Sequence, residues 1–310
     1  MQSSGDLLAD RRYAYAKSAL DEGDWLAAAD LARQALELAP DFTIAWFLLG
    51  EASEQIARAE PGGPARADAI AAFTAARRLD PEDVLGAGLR LALLGAEDPG
   101  TAMSPAYIRS LFDEYAIRFD RHLRQGLGYR GPELLHGAVR RACSIKLRPF
   151  RFDLMLDLGC GTGLAAEVFR EECRRIAGVD LSPAMVRKAE AKKVYDEVAV
   201  GDLVAWLQER PAGQADLVLA ADVFVYMADL APVFAAAAAA LGRDGLFAFT
   251  VQEHAGEGAV LGDDQRFAHG EGHLRALAQR FSLDPVILER GSTRQDRGQD
   301  VPGLLLVLAR

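Results

Sequence analysis

The sequence predicts an α/β domain preceded by a region that is helical throughout. Three observations support this prediction. A glycine-rich loop follows a short apolar run at residues 156–163, further apolar runs each end in an acidic residue, and alanines recur at helical spacing over the first hundred residues. The 310 residues are enough for two domains, and half of them are hydrophobic, so a sizeable core is available.

The most informative stretch is Leu-Asp-Leu-Gly-Cys-Gly-Thr-Gly at residues 156–163. It predicts a buried strand that stops at a loop with almost no side chains, where Gly159, Gly161 and Gly163 permit positive φ angles and close approach of a ligand. We expect a helix from Leu164, with its N-terminal amides towards that ligand. The dinucleotide fingerprint G-x-G-x-x-G has glycine where this chain has Leu164, so the spacing disfavours an NAD site.

An acidic residue also follows the second predicted strand, at residues 175–179. Asp180 lies 17 residues beyond Gly163, close to the spacing of a carboxylate that binds the two hydroxyls of a ribose. Two hydroxyl donors on one carboxylate make charge-assisted hydrogen bonds. Ser182 can cap the next helix, and Pro183 suits its first turn.

Two further strands are predicted at residues 197–200 and 215–220. Gly201-Asp202-Leu203 follows the first, and Ala221-Asp222 follows the second. Each acid is either a ligand contact or an ordinary acid at a strand end, and the sequence leaves both interpretations open.

The first hundred residues contain an internal repeat. Residues 28–40 and 69–81 align, with small residues at matching positions and a final proline in each copy, Pro40 and Pro81. The prolines are 41 residues apart, and a loop at 59–65 accounts for the excess over a 34-residue helix pair. Residues 83–94 predict one further helix that caps the stack.

Together these motifs resemble a class I S-adenosylmethionine-dependent methyltransferase with N-terminal tetratricopeptide repeats, of the bacterial type. The glycine loop preceded by Asp157 is similar to motif I, and Asp-Leu-Ser-Pro-x-Met at 180–185 is similar to a second signature. Trp46, Leu49-Gly50, the alanines and the prolines resemble the tetratricopeptide pattern. The resemblance implies tetratricopeptide-like repeats at 1–98, hinge and lid helices at 99–135, and the S-adenosylmethionine-binding domain at 136–310.

The resemblance also implies a Rossmann-like, seven-stranded sheet whose last strand is antiparallel, with the ligand at the carboxyl ends of the strands. We expect the fifth strand at 245–252, the last two at 281–289 and 303–309, and a helix over the alanines at 235–240. The implied cofactor is S-adenosyl-L-methionine, with S-adenosyl-L-homocysteine as product and no metal. The residues assigned to the cofactor are Asp157, Gly159, Cys160, Gly161, Thr162, Gly163, Asp180, Leu181, Met185, Gly201, Asp202, Leu203, Ala221, Tyr115 and Phe119.

The segment before the glycine loop predicts a lid helix. Phe112, Tyr115 and Phe119 are three and four residues apart and therefore share one helical face. Such a face is usually core, but the segment resembles the Phe-Asp-x-x-Ala-x-x-Phe/Tyr-Asp stretch of many small-molecule methyltransferases. The resemblance implies that it folds over the cofactor and excludes water, with at least one of Tyr107, Tyr115, Phe119 or Tyr129 touching cofactor or substrate.

The implied reaction is an in-line displacement, in which alignment and exclusion of water can supply most of the catalysis. A general base is needed only if the acceptor must lose a proton, and the candidates are Tyr226, His254 and His269. Both histidines lie in a polar, glycine-rich insert at 252–272, and each can equally be a solvated surface residue.

Charge and cysteine content limit the partners. The net charge is −10, and residues 1–100 hold 17 acidic residues against 9 basic ones. The sequence therefore shows no basic face of the kind that binds DNA or RNA. No apolar run reaches the ~20 residues of a membrane helix, and the N-terminus lacks a secretory pattern. The three cysteines, at 143, 160 and 173, form no CxxC pair. We therefore expect a cytoplasmic protein with no membrane partner.

The acceptor is open at this stage. We expect methyl transfer to a small molecule or to a basic protein or peptide, while the repeats bind a protein partner or mediate self-association. The alternative is a cofactor-binding but inactive scaffold of the same fold that uses the repeats for protein interaction.

Overall fold

The described part of the chain, residues 3–296 and 298–310 of a computed structural model, divides after Tyr107 into two units. The second unit runs from Ile108 to Arg310. Over these described residues, no helix combines the length and the apolar character needed to cross a membrane.

The first unit is all-helical. Its helices are α1 (Leu7–Asp21), α2 (Trp25–Leu38), α3 (Thr43–Ala59), α4 (Ala65–Leu79) and α5 (Ala87–Leu93). Small side chains dominate the packing: Ala32 and Ala35 of α2 join Ala45 and Leu49 of α3 in a single buried cluster. The loop between α3 and α4, residues 60–64, lies where the sequence predicts the insertion.

Gly50 and Phe73 show how closely α3 and α4 approach each other. A Cβ atom on Gly50 would lie 2.6 Å from the ring of Phe73, which is completely buried. One turn earlier on α3, the Trp46 indole nitrogen donates to the Pro40 carbonyl oxygen at 2.7 Å. The repeat residues therefore serve the contact between helices and the turn that precedes them.

The fifth helix is shorter than the sequence predicts. It begins at Ala87 rather than at residue 83, because Asp83 and Gly86 both have positive φ angles. The Asp83 carboxylate accepts hydrogen bonds from the Ala87 and Gly88 amides at 2.6 and 2.9 Å. Residues 83–86 thus form a turn that caps the helix.

From α6 onward the chain alternates helices and strands. The helices are α6 (Pro105–Tyr115), α7 (Phe119–Arg121), α8 (Gly131–Ile145), α9 (Leu164–Phe169), α10 (Pro183–Lys192), α11 (Leu203–Gln208), α12 (Ala231–Ala240) and α13 (Glu271–Arg280). The strands are β1 (Phe152–Leu158), β2 (Cys173–Asp180), β3 (Glu197–Val200), β4 (Ala215–Ala220), β5 (Leu241–Glu253), β6 (Ala259–Leu261), β7 (Phe267–His269), β8 (Asp284–Gly291), β9 (Gln295–Asp296), β10 (Gln299–Asp300) and β11 (Gly303–Ala309). The alanine run predicted as a helix lies in α12.

The main sheet has the order β3-β2-β1-β4-β5-β11-β8. Strands β1 to β5 pair in parallel, and β11 runs antiparallel between β5 and β8. This confirms the expected mostly parallel sheet with an antiparallel last strand. The order reverses between β1 and β4, and open sheets of this kind generally bind ligands at the carboxyl ends of the strands beside such a reversal.

Three details of the second unit differ from the prediction. β5 extends further at both ends than expected, from Leu241 to Glu253. β8 begins at Asp284 rather than at residue 281, because Phe281 still caps α13 and Ser282 has a positive φ. The insert after β5 contains the β6–β7 hairpin, and β7 pairs with the end of β5.

Both faces of the sheet are covered. Leu156 and Leu158 of β1 pack with Phe247 and Phe249 of β5 on one face, whereas Met155 packs into the cluster on the opposite face. This alternation along β1 determines which side chains can reach the carboxyl-end edge.

Alanine in place of Gly50 tests the packing of the first unit. An exposed helix gains about 1 kcal/mol from a glycine-to-alanine change, but here the new methyl group would overlap the buried ring of Phe73. We expect Gly50→Ala to lower the free energy of unfolding by about 1–3 kcal/mol, measured by urea denaturation. Gly63→Ala is the control, because its added Cβ would have no neighbour closer than 3.6 Å. Equal stability of the two variants would refute the close contact.

Candidate functional site

The glycine loop (residues 159–163) connects β1 to α9. Gly159, Gly161 and Gly163 have φ angles of 60°, 53° and 89°, as the glycine pattern predicts. Side chains at the first and third positions would clash, at 2.7 Å from Val223 and 2.9 Å from Tyr195. At Gly161 an added Cβ would lie 3.7 Å from the ring of Phe119, an ordinary van der Waals contact, so this glycine is required by its positive φ angle rather than by a clash.

Asp180 lies at the end of β2, beside this loop. One carboxylate oxygen accepts the Gly161 amide at 2.9 Å, and the other accepts the Ser182 amide at 2.8 Å. Burial raises the pKa of Asp180, and the charge of Asp113 adds to the effect. The structure therefore brings together the loop and the acid that the sequence singled out, and Leu181 follows on the same turn.

The helix after Asp180 is capped twice. Ser182 Oγ accepts the Met185 amide at 3.1 Å, as a helix N-cap does. The same hydroxyl donates to Asp113 of α6 at 2.6 Å, and Asp113 also accepts the Ala184 amide at 3.0 Å. Sequence analysis did not single out Asp113.

A second lid aspartate contacts the glycine loop itself. Asp120 accepts a hydrogen bond from Thr162 Oγ1 and lies 2.9 Å from Lys192 Nζ of α10. The ring of Phe119, the preceding residue, faces Gly161. The sequence does contain a signal for both aspartates, because the doublet Phe-Asp occurs at 112–113 and again at 119–120. The aromatic spacing that predicts the lid uses only the first residue of each doublet.

The lid is not the continuous helix that the aromatic spacing predicts. α6 ends at Tyr115, residues 116–118 form a turn, and α7 and a π-helical turn at His122–Gly126 follow. The break still leaves the predicted aromatics together, because Phe112 and Tyr115 contact Phe119 with ring centroids 6.2 and 5.1 Å apart.

Two residues assigned to the cofactor have no exposed surface. Asp157 points to the same face of β1 as Met155, is 1% exposed and accepts from the Tyr195 hydroxyl at 2.6 Å. Met185 is completely buried. Their side chains therefore support the loop and α10 from within rather than offering a contact to a ligand. Cys160 and Thr162 are also buried.

The ends of β3 and β4 complete the edge. Asp202 is exposed, and its carboxylate caps α11 by accepting the Val204 and Ala205 amides. Gly201, Leu203 and Ala221 are partly exposed beside it and at the end of β4. They stay candidates for ligand contact.

The structure changes the interpretation of both candidate histidines. His269 is not a surface residue: it is completely buried, and its Nε2 lies 3.1 Å from the Phe224 carbonyl oxygen. Burial lowers its pKa to about 4. His254 has both ring nitrogens engaged within its own loop, Nε2 with the Gly258 carbonyl oxygen and Nδ1 with the Gly256 amide. These contacts give both rings a structural role and argue against a general base.

Tyr226 remains at the site. It is partly exposed, and the ring of Phe112 meets it edge-on at 5.3 Å. Behind it, Asp222 has a positive φ of 61° and forms two contacts, at 3.0 and 3.1 Å, with buried Arg294. Asp222 is therefore committed to an ion pair, and Arg294, which belongs to no sequence motif, was not found from the sequence.

Among the described residues, no group of three or more His, Cys, Asp or Glu side chains could hold a metal ion.

Comparisons with known proteins agree with this geometry. Residues 156–249 match the family model described as a methyltransferase domain. The malonyl-[acyl-carrier protein] O-methyltransferase of Serratia marcescens is 28% identical over 123 residues, which cover 40% of this chain and 47% of the relative. Human methyltransferase-like protein 27 is 33% identical over 109 residues, 35% of this chain and 43% of the relative. The chain thus matches less than half the length of each.

Solved structures share the fold. The 1,6-didemethyltoxoflavin-N1-methyltransferase of Burkholderia thailandensis, with bound S-adenosylhomocysteine, has a TM-score of 0.52 and 18% identity over 69% of this chain and 93% of its own. Magnesium protoporphyrin IX methyltransferase from Synechocystis PCC 6803 has a TM-score of 0.50 and 16% identity over 68% and 99%. The second unit therefore shares the α/β fold of these methyltransferases. Residues 156–249 match a methyltransferase domain model, and an all-helical region precedes them in the chain.

Asp157 gives the protein a specific pH dependence. Burial raises its pKa from 3.8 to about 7, so the folded protein holds this proton more tightly than the unfolded chain does. The stabilisation is complete below the unfolded pKa and is lost as the pH rises to about 7. Relative to Asp157→Asn, the wild-type free energy of unfolding should fall by up to about 1.4 kcal/mol per pH unit between about pH 4 and 7. Denaturant titrations at several pH values measure this difference, with exposed Asp153→Asn as control; parallel wild-type and Asp157→Asn profiles would contradict it.

Asp120 tests the attachment of the lid. Asp120→Asn removes the charge that Lys192 contacts and weakens the bond from Thr162, so residues 118–124 should open more often. We expect tryptic cleavage at Arg118, Arg121 or Arg124 to accelerate about three- to tenfold, the equivalent of roughly 1 kcal/mol. Asp284→Asn, an exposed aspartate at the start of β8, should cleave at the wild-type rate. A variant with unchanged cleavage would show that this contact does not hold the lid.

Proposed function

We propose that this chain is an S-adenosylmethionine-dependent methyltransferase that acts on a small molecule or a protein side chain by in-line displacement. One observation carries the proposal: the Asp180 carboxylate accepts the amide of Gly161, in a glycine loop whose three positive φ angles bring bare backbone to the edge of the sheet. This arrangement stands at the carboxyl ends of β1 and β2, within a domain that matches the methyltransferase family.

The residues present fit the cofactor. Asp180 would accept the ribose hydroxyls, and the glycine backbone at Gly161 would lie against the ligand under the ring of Phe119, which is 3.7 Å from where a Cβ of Gly161 would stand. Asp202 and Leu203 at the end of β3 would contact the adenine. When bound, S-adenosylmethionine supplies an electrophilic methyl group on a sulfonium, and S-adenosylhomocysteine is the product.

The chain itself supplies enclosure and alignment. Phe119 and Tyr115 would cover the cofactor and exclude water, while Asp113 and Asp120 hold their segment against α10 and the glycine loop. Tyr226 lies against the lid through Phe112 and would face the acceptor. Because both candidate histidines are engaged in structural bonds, catalysis would rest on positioning rather than on histidine base chemistry.

An inactive scaffold finds no support in the described site. The glycine loop has the backbone conformation that close ligand approach requires, and Asp180 adjoins it. Among the described residues, the Asp180 carboxylate forms hydrogen bonds with backbone amides and no ion pair, so no cation occupies the position of the ribose hydroxyls.

For the first unit we propose tetratricopeptide-type repeats that bind a protein partner or a second copy of the chain. The supporting observations are the bond from Trp46 to Pro40 and the tight contact of Gly50 with Phe73. The acidic excess over residues 1–100 would favour a basic peptide.

Calorimetric titration tests the proposal. We expect S-adenosylmethionine to bind and NAD not to bind. Asp180→Ala should weaken the binding of S-adenosylmethionine by about 1.5–3 kcal/mol, an increase in Kd of roughly 10- to 150-fold, because charged hydrogen bonds to the ribose are lost. Asp180→Asn keeps the shape without the charge and should fall in between.

Asp153→Ala is the matched control, since Asp153 lies at the opposite end of the sheet, at the start of β1, with a side chain 77% exposed. It should bind the cofactor as the wild type does. The absence of any heat with S-adenosylmethionine would reject the function, and wild-type affinity of folded Asp180→Ala would reject the ribose role.

A further inference from the structure

Arg266 stands beside Tyr226 without an acidic partner. It closes the turn of the β6–β7 hairpin, where the Gly262 amide donates to its carbonyl oxygen at 2.9 Å. Its side chain is half-buried and hydrogen-bonds the Tyr226 hydroxyl. Over the described residues, Arg266 forms no ion pair within 4.0 Å.

The acids nearest to Arg266 are committed elsewhere. Asp222 makes its two charged contacts with Arg294. Asp264 is exposed to solvent and accepts from the Gln252 amide at 3.0 Å. Burial acts to lower the pKa of Arg266, but Tyr226, Asp222 and Asp264 outweigh it and raise that pKa on balance. Arg266 is therefore a permanent, partly desolvated cation.

The surroundings of Arg266 are aromatic, with a second cation nearby. Tyr115 lies within electrostatic range of both Tyr226 and Arg266, and Arg118 stacks over the Tyr115 ring at 5.6 Å. Phe112 packs edge-on against Tyr226. A guanidinium group binds oxyanions through paired hydrogen bonds. Because Arg266 forms no ion pair among the described residues, its N–H groups beyond those that face Tyr226 can donate to the oxyanion of a ligand.

We propose that the methyl acceptor carries an oxyanion, a carboxylate or a phosphate, on an aromatic or apolar body, and that Arg266 binds this oxyanion beside Tyr226. The proposal rests on the proposed function and names the substrate class of the same site. Phe112, Tyr115 and Tyr226 contact the body of the acceptor, and Arg118 adds positive potential at the entrance.

Four probes of similar size test the charge requirement: 3-phenylpropionate, 2-phenylethyl phosphate, 3-phenylpropan-1-ol and 3-phenylpropylamine. Each is titrated calorimetrically into the full chain, with and without S-adenosylhomocysteine. We expect at least one oxyanion to bind at least tenfold more tightly than the alcohol and the amine. The ratio between carboxylate and phosphate affinities shows which of the two the site prefers.

Arg266→Gln should abolish this preference, and Arg266→Lys should restore part of it. Arg280→Gln is the control, because Arg280 is an exposed arginine stacked on Phe281 in α13, outside the site. Melting temperatures show whether each variant folds.

Several results would overturn the proposal: equal binding of all four probes, preference for the amine, no binding by either oxyanion, or oxyanion binding that Arg266→Gln leaves unchanged. The cofactor titration is read separately. If the cofactor binds but neither oxyanion does, the proposed acceptor class is wrong and the proposed function stands. If the oxyanions bind in a manner that depends on Arg266 but the cofactor does not bind, the proposed function is wrong and the oxyanion site stands.

Discussion

The two hydrogen bonds accepted by Asp180 hold the candidate site together. A loop whose glycines all have positive φ angles is costly to order, since glycine loses more conformational freedom than other residues. Asp180 offsets part of this cost by accepting the Gly161 amide with one oxygen and the Ser182 amide with the other. The connection after β1 and the connection after β2 are thereby joined through one carboxylate. The position of Thr162 and of the capped start of α10 follows from this junction.

The lid is attached to the same two connections, because Asp113 contacts the start of α10 and Asp120 contacts the glycine loop. In each Phe-Asp doublet, the aromatic ring and the carboxylate diverge. Phe112 and Phe119 turn towards Tyr226 and Gly161, whereas Asp113 and Asp120 turn towards α10 and Thr162. An apolar contact can slide, but a carboxylate that accepts directional hydrogen bonds specifies one register. The doublets therefore set both how the segment covers the site and where it is held.

The far side of the site depends on a segment remote in sequence. Arg294 reaches Asp222 and also Gln252 of β5, at 3.0 Å. Its neighbours are tied to the lid by backbone bonds: the Arg130 amide donates to the Thr293 carbonyl oxygen, and the Gln295 amide to the Leu127 carbonyl oxygen. A buried ion pair of this kind is weak evidence for stability, but it engages the Asp222 carboxylate with Arg294. Among the described residues, Arg266 beside Tyr226 is left with no directly paired carboxylate.

Local chemistry was enough to predict the glycine loop, the acid after β2 and the helix over the alanines, because each is encoded within a few consecutive residues. The mostly parallel sheet with its antiparallel last strand was predicted from the family resemblance of the motifs. The tertiary structure decided what those residues touch. It turned Asp157 inward to Tyr195, engaged Asp222 with Arg294 and buried His269 against Phe224. Periodicity cannot specify these outcomes, since the partner in each ion pair or hydrogen bond comes from another part of the chain. Burial and pairing are properties of the assembled fold, whereas the loop and its acid are properties of the sequence pattern.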